Sequence, residues 1–113
     1  MPSDRSKKAL IHIRDNILLA KSFVGDASLD DFRHDEKTYY ATTRCLEIIS
    51  EASRRLDDAV RQRHPDVPWQ EIIGAGNVYR HGYDSVVETR VWLTVHENLD
   101  ALLAAVEAEL AAG

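Results

Sequence analysis

The stretch Val86-Val87-Glu88-Thr89-Arg90-Val91-Trp92-Leu93-Thr94-Val95 decides between two fold classes. Its β-branched residues favour a strand, whereas its apolar spacing favours a helix. Followed further along the chain, Val91, Val95, Leu99, Leu102, Val106 and Leu110 recur at intervals of three or four residues. A half-buried strand would alternate with period two. The spacing therefore predicts one long helix over this part of the chain, and with it an all-α protein.

Upstream, Trp69, Ile72, Ile73 and Gly76 keep helical spacing to about His81, with Gly82 as the stop. Pro68 suits the first turn of that helix, where a missing N–H costs nothing. His64-Pro65-Asp66-Val67-Pro68 breaks the preceding helix, which is expected from about Glu36 to Arg63. Its apolar stripe is Ala41, Cys45, Ile48, Ala52 and Leu56, widened by Leu46, Ile49, Ser53 and Val60. A first helix is expected from about Asp4 to Val24, burying Leu10, Ile13, Ile17, Ala20 and Val24 and ending at Gly25. Between these two, Ser28-Leu29-Asp30-Asp31 has the form of a capping box and predicts a short helical turn. The expected architecture is an up-and-down bundle of four main helices plus one short extra helix, in one domain spanning residues 1–113.

Composition supports a globular chain. Hydrophobic residues make up 44% and charged residues 29% of 113 positions, with no apolar run near the roughly 18 residues a membrane span needs. The charged start, Met1 to Lys8, precedes a stretch interrupted by His12, Arg14, Asp15 and Asn16, unlike a secretory leader. A cytoplasmic location is the expectation. The net charge of −5 argues against indiscriminate phosphate binding but leaves local basic patches open. Arg54, Arg55, Arg61 and Arg63 form such a patch, interleaved with Asp57 and Asp58 as on a solvated helix face. The single Cys45 has no disulfide partner and reads as a buried thiol.

Asp30 and His34 share a helical face, yet no second His or Cys stands at ligand spacing, and capping accounts for the acidic residues there. The reading calls for no metal and no cofactor. His12, His64 and His96 are scattered among polar positions and are expected at the surface. Walker-type phosphate loops, nucleophile elbows and zinc-deaminase signatures are absent.

The segment Asn77-Val78-Tyr79-Arg80-His81-Gly82-Tyr83 draws attention for its chemistry as a set. His81 titrates near neutrality, Arg80 is a permanent cation that can fork onto phosphate, and the phenol of Tyr83 stands beside them. RNA carries its own nucleophile, the 2′-hydroxyl. A protein need only remove that proton, stabilise charge on the phosphorus oxygens and protonate the leaving 5′-oxygen. One copy of the segment lacks an obvious second proton-transfer group. A two-fold dimer would present two copies to one cleft.

Gly74 to Asp84 resembles the signature of the HEPN superfamily: an Arg, a polar residue such as Asn, a short spacer, then His, any residue and Tyr. Leu46-Glu47-Ile48-Ile49-Ser50-Glu51-Ala52-Ser53-Arg54-Arg55-Leu56 is similar to the central-helix block of HepT-like proteins. Pro68-Trp69 with Ile72-Ile73-Gly74 resembles the helix leading into their motif, and Val91-Trp92 with Leu99 and Leu102 resembles their final helix. The resemblance implies a dimeric helical bundle whose two motifs form a composite cleft. It also implies metal-independent endoribonuclease activity as the toxin of a prokaryotic toxin–antitoxin pair. In that frame His81 is general base or acid, Arg80 the phosphate cation, Asn77 a polar support, and Tyr83 an RNA contact. The implied partners are RNA, a second copy of the chain and a nucleotidyltransferase antitoxin that can add AMP to Tyr83.

One position departs from the pattern. Where the family carries its Arg, this chain has Gly76, and the nearest cation in the segment is Arg80. Those positions lie four apart, on one helical face and roughly 6 Å from each other, within reach of an arginine side chain. Two alternatives stand: Arg80 replaces the missing guanidinium, or the centre is inactive and the chain is a binding module for a nucleotidyltransferase or nucleotide. Gly74 and Gly76 each cost a helix about 1 kcal/mol relative to Ala. They imply either close approach of another body or a loosely wound segment.

Overall fold

The computed structural model describes residues 2–81 and 85–113, with residues 77–81 and 85–86 described by backbone alone. The described residues form seven helices and no strand: α1 (Asp4–Val24), α2 (Leu29–Arg33), α3 (Glu36–Arg54), α4 (Asp58–Gln62), α5 (Trp69–His81), α6 (Ser85–Glu97) and α7 (Leu99–Ala112). The β-branched stretch is helical, as its period requires. Val91, Val95, Leu99, Leu102 and Val106 are all buried, and Leu110 is half-buried.

Each start and stop has a local cause. Ser3 Oγ accepts from the Ser6 amide at 3.1 Å to open α1, and Gly25 closes it at φ +51°, a conformation that suits glycine. Ser28 caps α2 by accepting from the Asp31 amide at 3.1 Å. Asp35 caps α3 through the Thr38 amide at 3.1 Å and also takes the Thr38 hydroxyl at 2.7 Å. Those bonds hold its carboxyl below the usual carboxylate range.

Two expected helices are divided. The helix expected over Glu36–Arg63 ends at Arg54, where the Arg55 and Leu56 amides turn back to Ala52 and Ser53. The Asp57 amide instead donates to Ser6 Oγ on α1 at 3.0 Å. Hydrogen bonds from Ser3 and then Ser6 lower the Asp57 pKa. A tertiary bond thus takes the amide that a continuous helix would use, and the chain restarts as α4. The last helix divides at Asn98. Its backbone stays near helical geometry there, so the buried stripe runs on from α6 into α7.

The core lies where α1 packs along α3, α3 along α5, and α7 returns along α1. Leu10, Ile13, Ile17, Ile49, Val91, Leu102 and Val106 are each 1% exposed or less. Phe32 seals the α2 end, edge-on to Tyr39 at 6.1 Å. Cys45 is buried, and burial pushes its thiol pKa up. Among the described residues no helix is long and apolar enough to cross a membrane.

Candidate functional site

The segment singled out by its chemistry lies at the end of α5, so what seats α5 matters first. Val67 and Ile72 are buried and Trp69 is half-buried, anchoring the helix start to the core. The Trp69 indole N–H donates to the His64 carbonyl at 3.0 Å. The Ile72 amide bonds the Pro68 carbonyl at 3.0 Å, which makes Pro68 the residue from which the helix departs.

The turn before α5 is held by a buried carboxylate. Glu109 on α7 is 6% exposed. It accepts from Arg63 Nη2 at 2.6 Å and Nε at 3.1 Å, and its Oε2 lies 2.6 Å from His64 Nε2. The Arg63 hydrogen bond, helped by His64 and opposed by burial, lowers the Glu109 pKa to about 2. His64 is thus no free surface residue, as its surroundings in sequence had suggested. The signal for Glu109 was its place on the stripe of Leu102 and Val106, where an unpaired carboxylate could not be tolerated.

Along its length α5 is joined to α3 at one backbone atom. The Ile73 carbonyl oxygen accepts from the Ser50 hydroxyl at 2.6 Å and from Arg54 Nη2 at 3.2 Å. Gly76 is buried while Gly74 is exposed. Among the described residues, beyond its chain neighbours and the backbone of its own helix, no atom lies within 4 Å of where a Cβ on Gly74 would stand. Both glycines are helical, so loose winding does not explain them. Among the described residues no other element approaches the Cβ position of Gly74.

Asn77, Arg80 and His81 lie within the last turns of α5. Their side chains, and Tyr83 entirely, lie outside the described residues. The backbone carries the first three on one helix end, immediately ahead of the connection to α6. That second helix is tied down by the Trp92 indole N–H on the Ala27 carbonyl at 3.1 Å and by Arg33 with Glu88 at 3.9 Å.

The arginine cluster resolves into separate tasks. Arg63 grips Glu109, Arg61 pairs with Asp58, and Arg55 meets Glu51 at 3.9 Å. A groove of about 350 Å³ between α1 and α3 includes His12, Arg44, Glu47, Glu51 and Arg55 in its lining. Its charges are mutually compensated, with Arg44 lying 3.6 Å from Glu47. His34 Nδ1 lies 2.7 Å from the Asp30 carbonyl oxygen, a contact local to α2.

Comparison with known proteins returns one family. The ribonuclease HepT-like family matches residues 13–109, a span that includes the whole α5 segment. A protein of Thermococcus cleftensis named Probable ribonuclease HepT is 34% identical over 96 residues, covering 85% of this chain and 87% of its own. A protein of Methanocaldococcus jannaschii named Putative RNase MJ1380 is 34% identical over 85 residues, covering 75% and 78%. Another, from Caldanaerobacter subterraneus and named Putative RNase TTE0752, is 36% identical over 75 residues, covering 66% and 67%. No solved structure matches the chain.

Proposed function

The chain belongs to the HepT-like ribonuclease family, and from that membership we propose that it is an endoribonuclease acting on RNA through the substrate's own 2′-hydroxyl. The observation that carries this reading is the family match across residues 13–109, taken with the presence of Asn77, Arg80 and His81 in the last turns of one helix. His81 takes the 2′-hydroxyl proton or protonates the leaving 5′-oxygen. Arg80 stabilises the charge that builds on the phosphorus oxygens, Asn77 orients the phosphate, and Tyr83 contacts RNA. The scheme uses proton transfer and fixed charge and asks nothing of a metal ion.

One imidazole cannot serve as acid and base at once in a single displacement. The proposal therefore includes a homodimer of single-domain chains in which two α5 ends share a cleft. It further includes a toxin role in the prokaryotic cytoplasm under a nucleotidyltransferase antitoxin. Transfer of AMP from ATP to the Tyr83 phenol, with release of pyrophosphate, would add bulk and negative charge where RNA must enter.

Gly76 favours a second reading, in which the chain is an inactive relative that binds a nucleotidyltransferase or nucleotide. Incubation of the purified chain with RNA in chelator decides between them. The ribonuclease reading expects fragments ending in 2′,3′-cyclic phosphate, and intact RNA overturns it.

A further inference from the structure

We propose that Arg54 of α3 is a phosphate-binding residue of the same site, supplying from a neighbouring helix the cation that Gly76 leaves out of α5. The inference rests on the ribonuclease reading above. Its basis is the carbonyl of Ile73, which Arg54 Nη2 reaches at 3.2 Å. In an α-helix that carbonyl points toward the next turn, so the guanidinium stands within roughly 6 Å of the Gly76 backbone. It flanks the first turn of the segment from the α3 side.

Three features separate Arg54 from an ordinary surface arginine. The other arginines of α3, and those of the α4 region, each meet a carboxylate: Arg44 with Glu47, Arg55 with Glu51, Arg61 with Asp58 and Arg63 with Glu109. Arg54 pairs with no carboxylate among the described residues. Among those residues nothing compensates its charge, in a chain of net charge −5 where RNA needs local cations to bind.

The tether to Ile73 also fixes the guanidinium plane while using few of its five N–H donors. The remaining donors keep the fork that matches phosphate oxygens. Beside it on α5, Gly74 is exposed, with open space among the described residues where a side chain would stand. A phosphate can approach past Gly74 without meeting a side chain from that position. The helix-weakening Gly74 thereby acquires a reason.

The test compares wild type with Arg54→Met, Arg54→Lys and Ser50→Ala in metal-free RNA cleavage. RNA affinity against salt is then measured in a His81→Ala background. We expect Arg54→Met to lower kcat/KM about 100-fold, Arg54→Lys to fall between it and wild type, and the logarithmic salt slope to drop by about one with Arg54→Met. Wild-type cleavage and slope in Arg54→Met overturn the assignment while leaving the ribonuclease reading intact. An unchanged slope, or a loss in Ser50→Ala equal to that in Arg54→Met, means Arg54 only docks α5 and likewise overturns it. If the wild type cleaves no RNA, the ribonuclease reading fails by itself, and the salt slope still decides whether Arg54 touches phosphate. Absence of RNA binding by the wild type overturns both.

Discussion

His64 and Glu109, distant in sequence, meet with Nε2 and Oε2 2.6 Å apart, and the same carboxylate holds Arg63 at 2.6 and 3.1 Å. The last helix thereby grips the turn from which α5 departs. That grip and the Ile73 contact with α3 both help to seat α5.

The clamp has a pH signature. Glu109 titrates at about 2 in the folded chain, against an ordinary 4.5. A depressed folded pKa means that its stabilisation is complete above about pH 4.5 and is lost as pH falls toward 2. Glu109→Gln should lower the melting temperature at pH 7 by roughly 5 °C and flatten the acid limb of stability between those two values. Thermal denaturation across pH 2 to 7 checks both.

Gly74→Ala separates helix stability from site access. Among the described residues the added methyl meets no atom of another element within 4 Å, and Ala is favoured over Gly inside a helix by about 1 kcal/mol. The variant should be more stable in urea denaturation by about 0.5–1 kcal/mol. Lower RNA cleavage at that higher stability would mark the open side of α5 as the approach path. Unchanged cleavage places the path elsewhere.

The proton-transfer and cation roles divide between two variants. His81→Ala should reduce cleavage by about 10²–10⁴-fold and abolish its dependence on pH near neutrality. Arg80→Ala should reduce it by about 10²-fold or more, and undiminished activity in that variant would refute its role. Steady-state kinetics on a short RNA, read as fragments with cyclic phosphate ends, supplies both numbers.

The shared cleft demands association. Sedimentation at micromolar concentration should give a dimer. Mixing excess His81→Ala chains with wild type should lower activity below what dilution alone gives if each cleft draws on the imidazoles of both copies. A strict monomer removes the basis for the two-histidine scheme.

How much was legible beforehand depended on the range of the force involved. The α1 stripe from Leu10 to Val24, the Gly25 stop and the Ser28 cap are local matters, and the structure has them where spacing placed them. The break after Arg54 was not legible because its cause, the Ser6 hydroxyl on the Asp57 amide, is a contact between distant segments. Ile48 and Ala41, expected on the α3 stripe, are only half-buried, since α1 and α5 cover adjoining flanks. The ion cluster of Arg63, His64 and Glu109 was half legible, because a glutamate on an apolar stripe implies a partner without naming it. For the site, the helical frame of Asn77, Arg80 and His81 followed from period. Their roles came from resemblance, and the task of Arg54 emerged only once α3 and α5 were side by side.

The Trp69 indole, hydrogen-bonded to the His64 carbonyl, gives this chain an intrinsic optical probe. Its emission reports whether the turn ahead of α5 is closed, and a Trp92→Phe background would leave it the sole indole fluorophore among the two tryptophans. Stopped-flow emission in that background would time the seating of α5 directly, without label or substrate.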